Sequence, residues 1–395
     1  MRPRIFTFTA LLPAMCLLLG SCDEKQSSYT FGGAIEGLPD GTVLTLTPVS
    51  HTGEPQFAET TVTDGRFEFS GDYVYAEPRA MNLGVKDGYG SRYVIIEPGD
   101  IEMKAVAEGQ VLGDGKTSYT FSDVRFSGSE SNLIYQKLLA SCDTLDALYE
   151  RNQRLYGKVL EEAWAAQQVK DKACFDSIRA TALYQEGLQA EKNFFETIDR
   201  TYATVVRENR NTFWGPLMMI TYYNTLIPEL RPLYDSLSDE AKNTYYGKMA
   251  GEELYPVGRP GDTMPDFAAS NAEGSTTFRK LCAGKKCVIL DFWASWCAPC
   301  RKEIPNLKAI YERHHAGGFD VVSISIDNEE AAWQKALDEE QLPWNNYLDA
   351  NDSIQALYKV TAVPTMYVVD GEGRMVADNL RGEELSAAID SLMSK

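Results

Sequence analysis

Histidines, basic side chains and long apolar runs are scarce in this chain of 395 residues, and each shortage excludes a class of function. With only 3 histidines, metal centres built from several histidine ligands are disfavoured. Lys and Arg number 38 against 57 Asp and Glu, and the net charge of -19 repels nucleic acid phosphates and anionic lipid head groups. After the first segment, no stretch reaches the roughly 20 apolar residues of a membrane helix. We therefore expect no nucleic-acid partner and no later membrane span.

The first 22 residues differ from the rest of the chain and predict export. Arg2 and Arg4 form a basic start, and an apolar run over residues 5–19 follows. The run leads into Leu19-Gly20-Ser21-Cys22, which resembles the bacterial lipobox, whose cysteine is acylated and becomes the new N-terminus. We expect residues 1–22 to be a lipoprotein signal peptide and Cys22 to be the lipid attachment site of a periplasm-facing or surface lipoprotein of the cell envelope. An ordinary signal peptide or an uncleaved anchor is the alternative.

Composition and periodicity divide the remaining chain into three parts, as its length leads us to expect. Residues 29–127 alternate β-branched and aromatic runs with turn signals such as Asp64-Gly65, which predicts an antiparallel β domain of unknown function. Residues 128–252 are rich in Leu, Ala, Glu, Gln and Lys, which predicts a helical segment. Residues 256–395 begin with a linker rich in Pro and Gly and then alternate strands with helices. The sequence therefore predicts a multidomain protein with an α/β C-terminal domain.

The C-terminal domain carries a pair of cysteines between a predicted strand and a predicted helix. Strands are predicted at residues 288–292, 320–326, 365–369 and 375–377, and helices at 298–313, 329–341 and 382–393. Cys297 therefore lies at a helix N-terminus, where unpaired N–H groups and the helix dipole favour a thiolate. Cys300 follows within one helical turn and can reach the Cys297 sulfur. Such a pair can attack a disulfide and then resolve the mixed disulfide.

The sequence around this pair resembles the active-site stretch of the thioredoxin superfamily, and it consists of Asp291-Phe292-Trp293-Ala294-Ser295-Trp296-Cys297-Ala298-Pro299-Cys300. The branch of the superfamily is indicated by Arg301-Lys302-Glu303-Ile304-Pro305, which is similar to the membrane-tethered reductases TlpA and ResA. A third stretch resembles the beginning of the AhpC/TSA-related redoxins, and it consists of Gly261-Asp262-Thr263-Met264-Pro265-Asp266-Phe267. The resemblance covers residues 256–395 and implies a thioredoxin-like fold with a redox-active Cys297–Cys300 disulfide. The preceding segments are similar in arrangement to the N-terminal regions of such lipoproteins in Bacteroidetes-type bacteria.

The resemblance also implies roles for individual residues. Val363 and Pro364 match the cis-proline loop, which faces the cysteine pair and docks the substrate together with Trp296. Asp291 lies on an apolar strand, where burial would raise the pKa of its carboxyl group, and by resemblance it relays the Cys300 proton. A hydrogen-bonded acid with only a structural role is the alternative for Asp291. Ser323 departs from cytoplasmic thioredoxins, which commonly have a lysine there that pairs with the buried acid.

The resemblance predicts an extracytoplasmic thiol-disulfide oxidoreductase that reduces protein disulfides, with Cys297, Cys300 and Asp291 as catalytic residues and with no cofactor and no metal. It also implies an upstream membrane electron donor and a link with cytochrome c biogenesis. The direction rests on the resemblance alone, so a disulfide-forming oxidase or isomerase is an alternative. A thiol peroxidase shares the fold, but Phe292 stands where the peroxidase loop needs a proline. A binding lipoprotein with a structural thioredoxin-like module is disfavoured by the intact cysteine pair.

Cys282 and Cys287 enclose a turn, and the sequence leaves open whether they form a small disulfide or stay free thiols. A zinc site shared with Cys297 and Cys300 is disfavoured, because the strand at 288–292 would separate the two pairs. Covalent haem attachment is excluded, because the residue after Cys300 is arginine where the motif requires histidine.

Cys142 and Cys174 lie in the predicted helical segment, and their pairing depends on where the helices end. A chain reversal near Gly157 would bring the two thiols together. A break near Lys170 would keep them apart. Both alternatives stay open at this point.

Overall fold

The computed structural model describes residues 27–271 and 274–394, so the predicted signal peptide and Cys22 lie outside the described residues. This part of the chain divides into two compact units. The first consists of residues 27–49 and 54–136, and the second of residues 50–53 and 137–394. Within the described ranges, no helix combines the length and the apolar character that crossing a membrane requires.

The first unit contains two four-stranded sheets whose strands alternate buried and more exposed residues, the pattern of a sheet with one face on a core. The strands are β1 (Ser28–Glu36), β2 (Val43–Pro48), β3 (Ala58–Thr61), β4 (Arg66–Asp72), β5 (Arg79–Val85), β6 (Ser91–Ile96), β7 (Gly99–Val111) and β8 (Thr117–Ser127). One sheet has the order β4-β1-β7-β8 and the other β3-β2-β5-β6. Phe31, Leu46 and Met81 belong to one apolar core that residues of both sheets build.

The first unit is not purely antiparallel, and the prediction of an antiparallel β domain was wrong in this respect. β1 pairs in parallel with β7, with Phe31 opposite Ile101. A parallel pair needs a long connection between its strands, and here strands β2 to β6 lie between β1 and β7 in the chain. Alternation of buried and exposed residues has the same period in both pairings, so it does not distinguish them.

The turn predicted at Asp64-Gly65 is present. Thr63 and Arg66 exchange backbone hydrogen bonds of 2.9 and 3.0 Å across it. Asp64 and Gly65 have φ values of 53° and 67°, which a two-residue hairpin turn requires. The strands on either side then separate, because β3 belongs to one sheet and β4 to the other.

Helices follow the two sheets, in the region where the composition predicts them. They are α1 (Glu130–Ala140), α2 (Asp143–Asn152), α3 (Lys158–Gln168), α4 (Lys172–Arg179), α5 (Ala182–Glu208), α6 (Trp214–Tyr222), α7 (Arg231–Asp235), α8 (Asp239–Asn243) and α9 (Tyr245–Leu254). The chain stays helical through Gly157 and breaks between α3 and α4, where Lys170 has a φ of 57°. Cys142 and Cys174 are unbonded, as the alternative with a break near Lys170 requires.

The C-terminal region of the second unit is built on a five-stranded sheet. Its elements are β9 (Ala268–Asn271), β10 (Gly274–Thr277), α10 (Phe278–Cys282), β11 (Cys287–Trp293), α11 (Ala298–His314), β12 (Phe319–Ser325), α12 (Glu330–Glu340), β13 (Asn345–Leu348), α13 (Ser353–Leu357), β14 (Thr365–Asp370), β15 (Met375–Asp378) and α14 (Gly382–Met393). The sheet has the order β13-β12-β11-β14-β15, and β9 and β10 form a separate hairpin. Each element that the sequence predicts here is confirmed, with its ends within one residue.

β11 is the central strand of this sheet, and all of its residues are buried. It runs parallel to β12 and antiparallel to β14. Leu290 packs in a core on one face of the sheet, and Ile289 packs on the other face against α11 and α14. Burial on both faces explains why the strand is a continuous apolar run that only Asp291 interrupts.

A half-buried ion pair joins the helices of the second unit to this sheet. Arg231 of α7 forms two hydrogen-bonded contacts of 2.6 Å with the Asp378 carboxylate at the end of β15. The same guanidinium donates from Nε to the Leu254 carbonyl at 2.9 Å and lies over the Tyr255 ring. This bidentate geometry pairs both half-buried charges.

Candidate active site

Cys297 and Cys300 form a disulfide at the start of α11. Cys297 is the N-cap residue, in extended conformation with φ −82° and ψ 95°, and its Sγ accepts a hydrogen bond from the Cys300 backbone N–H at 3.2 Å. Pro299 lies in the first turn, where a missing N–H removes no helical hydrogen bond. Once the disulfide is reduced, the same N–H and the helix dipole stabilise a thiolate on Cys297.

The two sulfurs lie in a small apolar cluster beside an exposed aromatic ring. Cys297 and Cys300 pack with Trp293, Ile304 and Ala336. Trp296 is 67% exposed, although the neighbouring Cys297 is only 3% exposed. The Trp296 ring therefore presents an apolar surface to solvent next to the disulfide.

The loop before β14 also reaches the disulfide. The Val363–Pro364 peptide bond is cis, and Val363 packs against the cluster that contains both cysteines. The Pro364 carbonyl accepts a hydrogen bond of 2.6 Å from Nη2 of Arg381, whose Nη1 donates to the Leu380 carbonyl at 2.9 Å. Arg381 immediately precedes α14, so this helix and the cis-proline loop are held together.

Asp291 lies in the middle of β11 and is only 5% exposed. Side chains alternate along a strand, so Asp291 shares a face with Ile289 and Trp293. Those two residues pack against α11, Ile289 beside Leu307 and Trp293 beside Cys300. The carboxyl group is therefore placed beneath the helix that carries Cys300.

The acidity of Asp291 is set by burial and by three neighbours. Burial raises the pKa of its carboxyl group to about 6, against the lowering effects of a hydrogen bond from Ser323 and of the Arg381 charge, while Glu303 raises it. Burial lowers the pKa of Arg381, and the charges of Asp291 and Glu303 act in the opposite direction. A carboxyl group with this pKa can take and return a proton near neutral pH.

Two further acids, Glu303 and Asp327, form hydrogen bonds that position elements of the site, and the sequence analysis assigned no role to either of them. Glu303 Oε1 accepts hydrogen bonds from Asn306 Nδ2 at 2.7 Å and from the Gly382 N–H at 2.9 Å, which ties α11 to the start of α14. Asp327 accepts hydrogen bonds from the Ser295 N–H at 2.8 Å, the Ser295 hydroxyl at 2.6 Å and the Ser325 hydroxyl at 2.7 Å. Asp327 follows β12, and the carboxyl ends of parallel strands meet, so its position after that strand was an available signal.

The second cysteine pair is unbonded, so the free-thiol alternative holds. Cys282 packs with Val288 and Leu290 on one face of the sheet, whereas Cys287 packs with Ile289 on the other. Burial raises the pKa of each thiol to about 12. Across the described ranges, no three His, Cys, Asp or Glu side chains are grouped so that they could hold a metal ion.

Comparisons with known proteins fall on this part of the chain. Residues 260–377 match the AhpC/TSA family. The chain is 27% identical to the thiol-disulfide oxidoreductase ResA of Bacillus cereus over 151 residues, which are 38% of this chain and 84% of that protein. It is 32% identical to ResA of Oceanobacillus iheyensis over 121 residues, 30% of this chain and 62% of that protein. The crystal structure of the thioredoxin domain of a Bacteroides vulgatus thiol-disulfide oxidoreductase is 31% identical, with 34% of this chain and 98% of that chain covered and a TM-score of 0.32.

Proposed function

Because the C-terminal region of the chain belongs to the thioredoxin superfamily, in its TlpA- and ResA-like branch, we propose that the protein is an extracytoplasmic reductase of protein disulfides. The observation that carries the proposal is the Cys297–Cys300 disulfide at the N-terminus of α11, with the cis Val363–Pro364 bond packed beside it. Thiol-disulfide exchange is the chemistry named for the ResA relatives. Protein substrates, the reducing direction and the location are the parts that we propose.

The proposed reaction starts from the dithiol. The Cys297 thiolate attacks one sulfur of a substrate disulfide, a new S–S bond forms, and the other substrate sulfur leaves with the electron pair and takes up a proton. Cys300 then gives its proton to Asp291 and attacks the Cys297 sulfur. The Cys297–Cys300 bond forms, and the second substrate sulfur leaves as a thiolate that is protonated. Two electrons pass from the protein to the substrate, and a dithiol donor in the membrane restores the reduced pair.

Substrate docking is assigned to the groups that surround the disulfide. Trp296 supplies an exposed apolar surface, and the Val363–Pro364 loop supplies backbone groups for an extended peptide. Arg381 keeps the Pro364 carbonyl in place, so it supports docking through the loop.

The remaining parts of the chain are assigned to export and attachment. We propose residues 1–22 as a lipoprotein signal peptide, with Cys22 as the lipid-bearing residue in the cell envelope. Residues 29–127 and 128–252 form the β-rich and helical domains between that anchor and the thioredoxin-like domain at 256–395.

A trapping experiment tests the nucleophile and identifies substrates. Cys300→Ser removes the resolving thiol, so this variant is expected to accumulate mixed disulfides with partner proteins, visible as bands that a reductant abolishes. Cys297→Ser removes the attacking thiol and is expected to accumulate none. Cys282→Ala is the matched control, because that thiol is buried and outside the site. Equal trapping by Cys297→Ser and Cys300→Ser would contradict the assignment of Cys297 as the attacking thiol and Cys300 as the resolving thiol.

The equilibrium reduction potential of the Cys297–Cys300 pair tests the direction. A value near about −250 mV supports a reductase, because the disulfide form is then comparatively stable. A value near about −120 mV would make the protein a donor of disulfides and would favour the oxidase alternative.

A further inference from the structure

A line of polar groups crosses the apolar interior from Trp344 to Asp291, with Ser323 between them. The Ser323 hydroxyl donates to Asp291 Oδ2 at 3.0 Å, and the Trp344 indole N–H donates to Ser323 Oγ at 2.9 Å. Asp291, Ser323 and Trp344 are 5%, 0% and 7% exposed, so protein groups set these contacts. Register places Ser323 directly opposite Asp291 on the neighbouring strand β12.

The direction of these hydrogen bonds follows from the groups themselves. An indole N–H can only donate, so Ser323 Oγ is the acceptor toward Trp344. The hydroxyl carries a single proton, which is then directed to Asp291. Asp291 Oδ2 therefore faces a donor, and a donor stabilises the carboxylate over the neutral acid.

We propose that Trp344 and Ser323 are positioning residues that hold Asp291 as the proton acceptor for Cys300 while the mixed disulfide is resolved. The inference rests on the proposed function, because it concerns one step of that reaction. In this step the Cys300 proton passes to the Asp291 carboxylate, the Cys300 sulfur bonds to Cys297, and the substrate sulfur leaves with the electron pair. Ser323 and Trp344 exchange no proton and no electron, and act only through Asp291.

Two charged groups act on Asp291 from other elements, and the test must leave them in place. Arg381, directly before α14, favours the carboxylate, and Glu303 of α11 disfavours it. Neither group is hydrogen-bonded to Ser323 or Trp344 in the contacts that the structure describes. Substitutions at Ser323 and Trp344 therefore change one influence on Asp291 at a time.

The first measurement follows the Asp291 carboxyl carbon by NMR through a pH titration of the full-length chain in detergent. The disulfide form is used, because neither Cys297 nor Cys300 titrates in it. Ser323→Ala is expected to move the protonation midpoint to higher pH, and Trp344→Phe to move it less in the same direction. Trp333→Phe is the matched control, because the side chain of Trp333 is half-buried and its buried indole N–H has no hydrogen-bond partner among the described residues. An unchanged or lower midpoint in Ser323→Ala would overturn the inference.

The second measurement is the decay rate of the mixed disulfide against pH, by acid quenching and mass spectrometry. For Ser323→Ala the rate is expected to fall about three- to tenfold at about pH 6, the effect of one lost hydrogen bond to a charged group, and less than about twofold at about pH 8. Ser323→Thr keeps the hydroxyl and is expected to restore the wild-type profile. A uniform loss at both pH values would indicate a merely structural role and would overturn the proposal. Failure of the wild type to reduce protein disulfides, with the NMR shift present, would reject the proposed function and leave the positioning of Asp291 intact.

Discussion

The two ends of β11 each carry a pair of cysteines, and the two pairs differ in chemistry although they are equally buried. Cys282 and Cys287 are 0% and 1% exposed, and Cys297 and Cys300 are each 3% exposed. Cys282 is the last residue of α10, at the negative end of a helix, whereas Cys297 caps the positive end of α11. Exposure is therefore not what separates them. Burial raises the pKa of the Cys282 and Cys287 thiols, whereas at Cys297 the Cys300 N–H and the N-terminus of α11 favour a thiolate.

The largest expected difference between the pairs is in alkylation rate. After reduction, Cys297 is expected to react with iodoacetamide at about pH 7 at least about 10³-fold faster than Cys282 or Cys287. Burial raises the pKa of the latter two thiols to about 12, which leaves on the order of 10⁻⁵ of each as thiolate. Peptide mass spectrometry over time measures the rates, with the urea-unfolded protein as the control in which all the cysteines react alike. Equal labelling in the folded protein would remove the basis of the comparison.

Replacement of Asp291 should affect activity and stability in opposite directions. Asp291 lies beneath the end of β11 that carries Cys297 and Cys300, which we call the reactive end. Burial raises the pKa of Asp291 to about 6 from an ordinary 3.8, so the folded protein binds this proton more tightly than the unfolded chain. The contribution of this group to the free energy of unfolding is therefore fully present below about pH 4 and is lost as the pH rises through about 6. Asp291→Asn is expected to raise the free energy of unfolding by about 2–3 kcal/mol at about pH 8 and hardly at about pH 4, and to slow resolution about tenfold or more.

Urea unfolding at the two pH values measures this stability effect, and Asp327→Asn is the matched control. Asp327 accepts hydrogen bonds from Ser295 and Ser325, so an amide there places a donor against donors. Asp327→Asn is expected to lower the free energy of unfolding by about 1–3 kcal/mol. If Asp291→Asn is less stable than the wild type at about pH 8, the buried charge of Asp291 does not destabilise the folded protein.

A smaller effect on the rate of resolution is expected from substitution of Arg381. This residue acts on Asp291 by its charge and on the cis-proline loop by its hydrogen bond to the Pro364 carbonyl. Arg381→Gln removes a charge that lowers the pKa of Asp291, so that pKa should rise. Resolution should then slow about three- to fivefold at about pH 6 and recover at higher pH. Arg381→Lys retains the charge and separates this effect from the loss of the Pro364 contact. Equal pH profiles for the two variants would show that the Arg381 charge does not affect the rate of resolution.

The smallest effect on activity is expected at the other end of the strand. The double substitution Cys282→Ala and Cys287→Ala should leave disulfide exchange within about twofold of wild type, since neither sulfur contacts the reactive cluster. The same change should lower the free energy of unfolding by about 1–3 kcal/mol, because it opens small cavities in two cores. Insulin reduction and urea unfolding measure the two quantities. A large loss of exchange with unchanged stability would mean that this pair takes part in the reaction.

The sequence predicted most of the reactive end because its signals are local. Apolar runs and helical periodicity placed β11 and α11 within one residue, and a single ten-residue stretch contains Asp291, Cys297 and Cys300. The contacts of Arg381 and Trp344 were not predictable, because they join residues distant along the chain. The parallel pairing of β1 with β7 was missed for the same reason, since a strand's pattern does not specify its partner.

The ion pair between Arg231 and Asp378 decides how the second unit can be dissected. A fragment that starts at residue 256 lacks Arg231 and keeps the half-buried Asp378 as an unpaired charge near Tyr367. Such fragments are therefore better made with Asp378→Asn, which removes the orphaned charge. In the intact chain, heating is expected to melt the helices and the five-stranded sheet in one calorimetric transition, because separating them breaks the bidentate contact between Arg231 and Asp378.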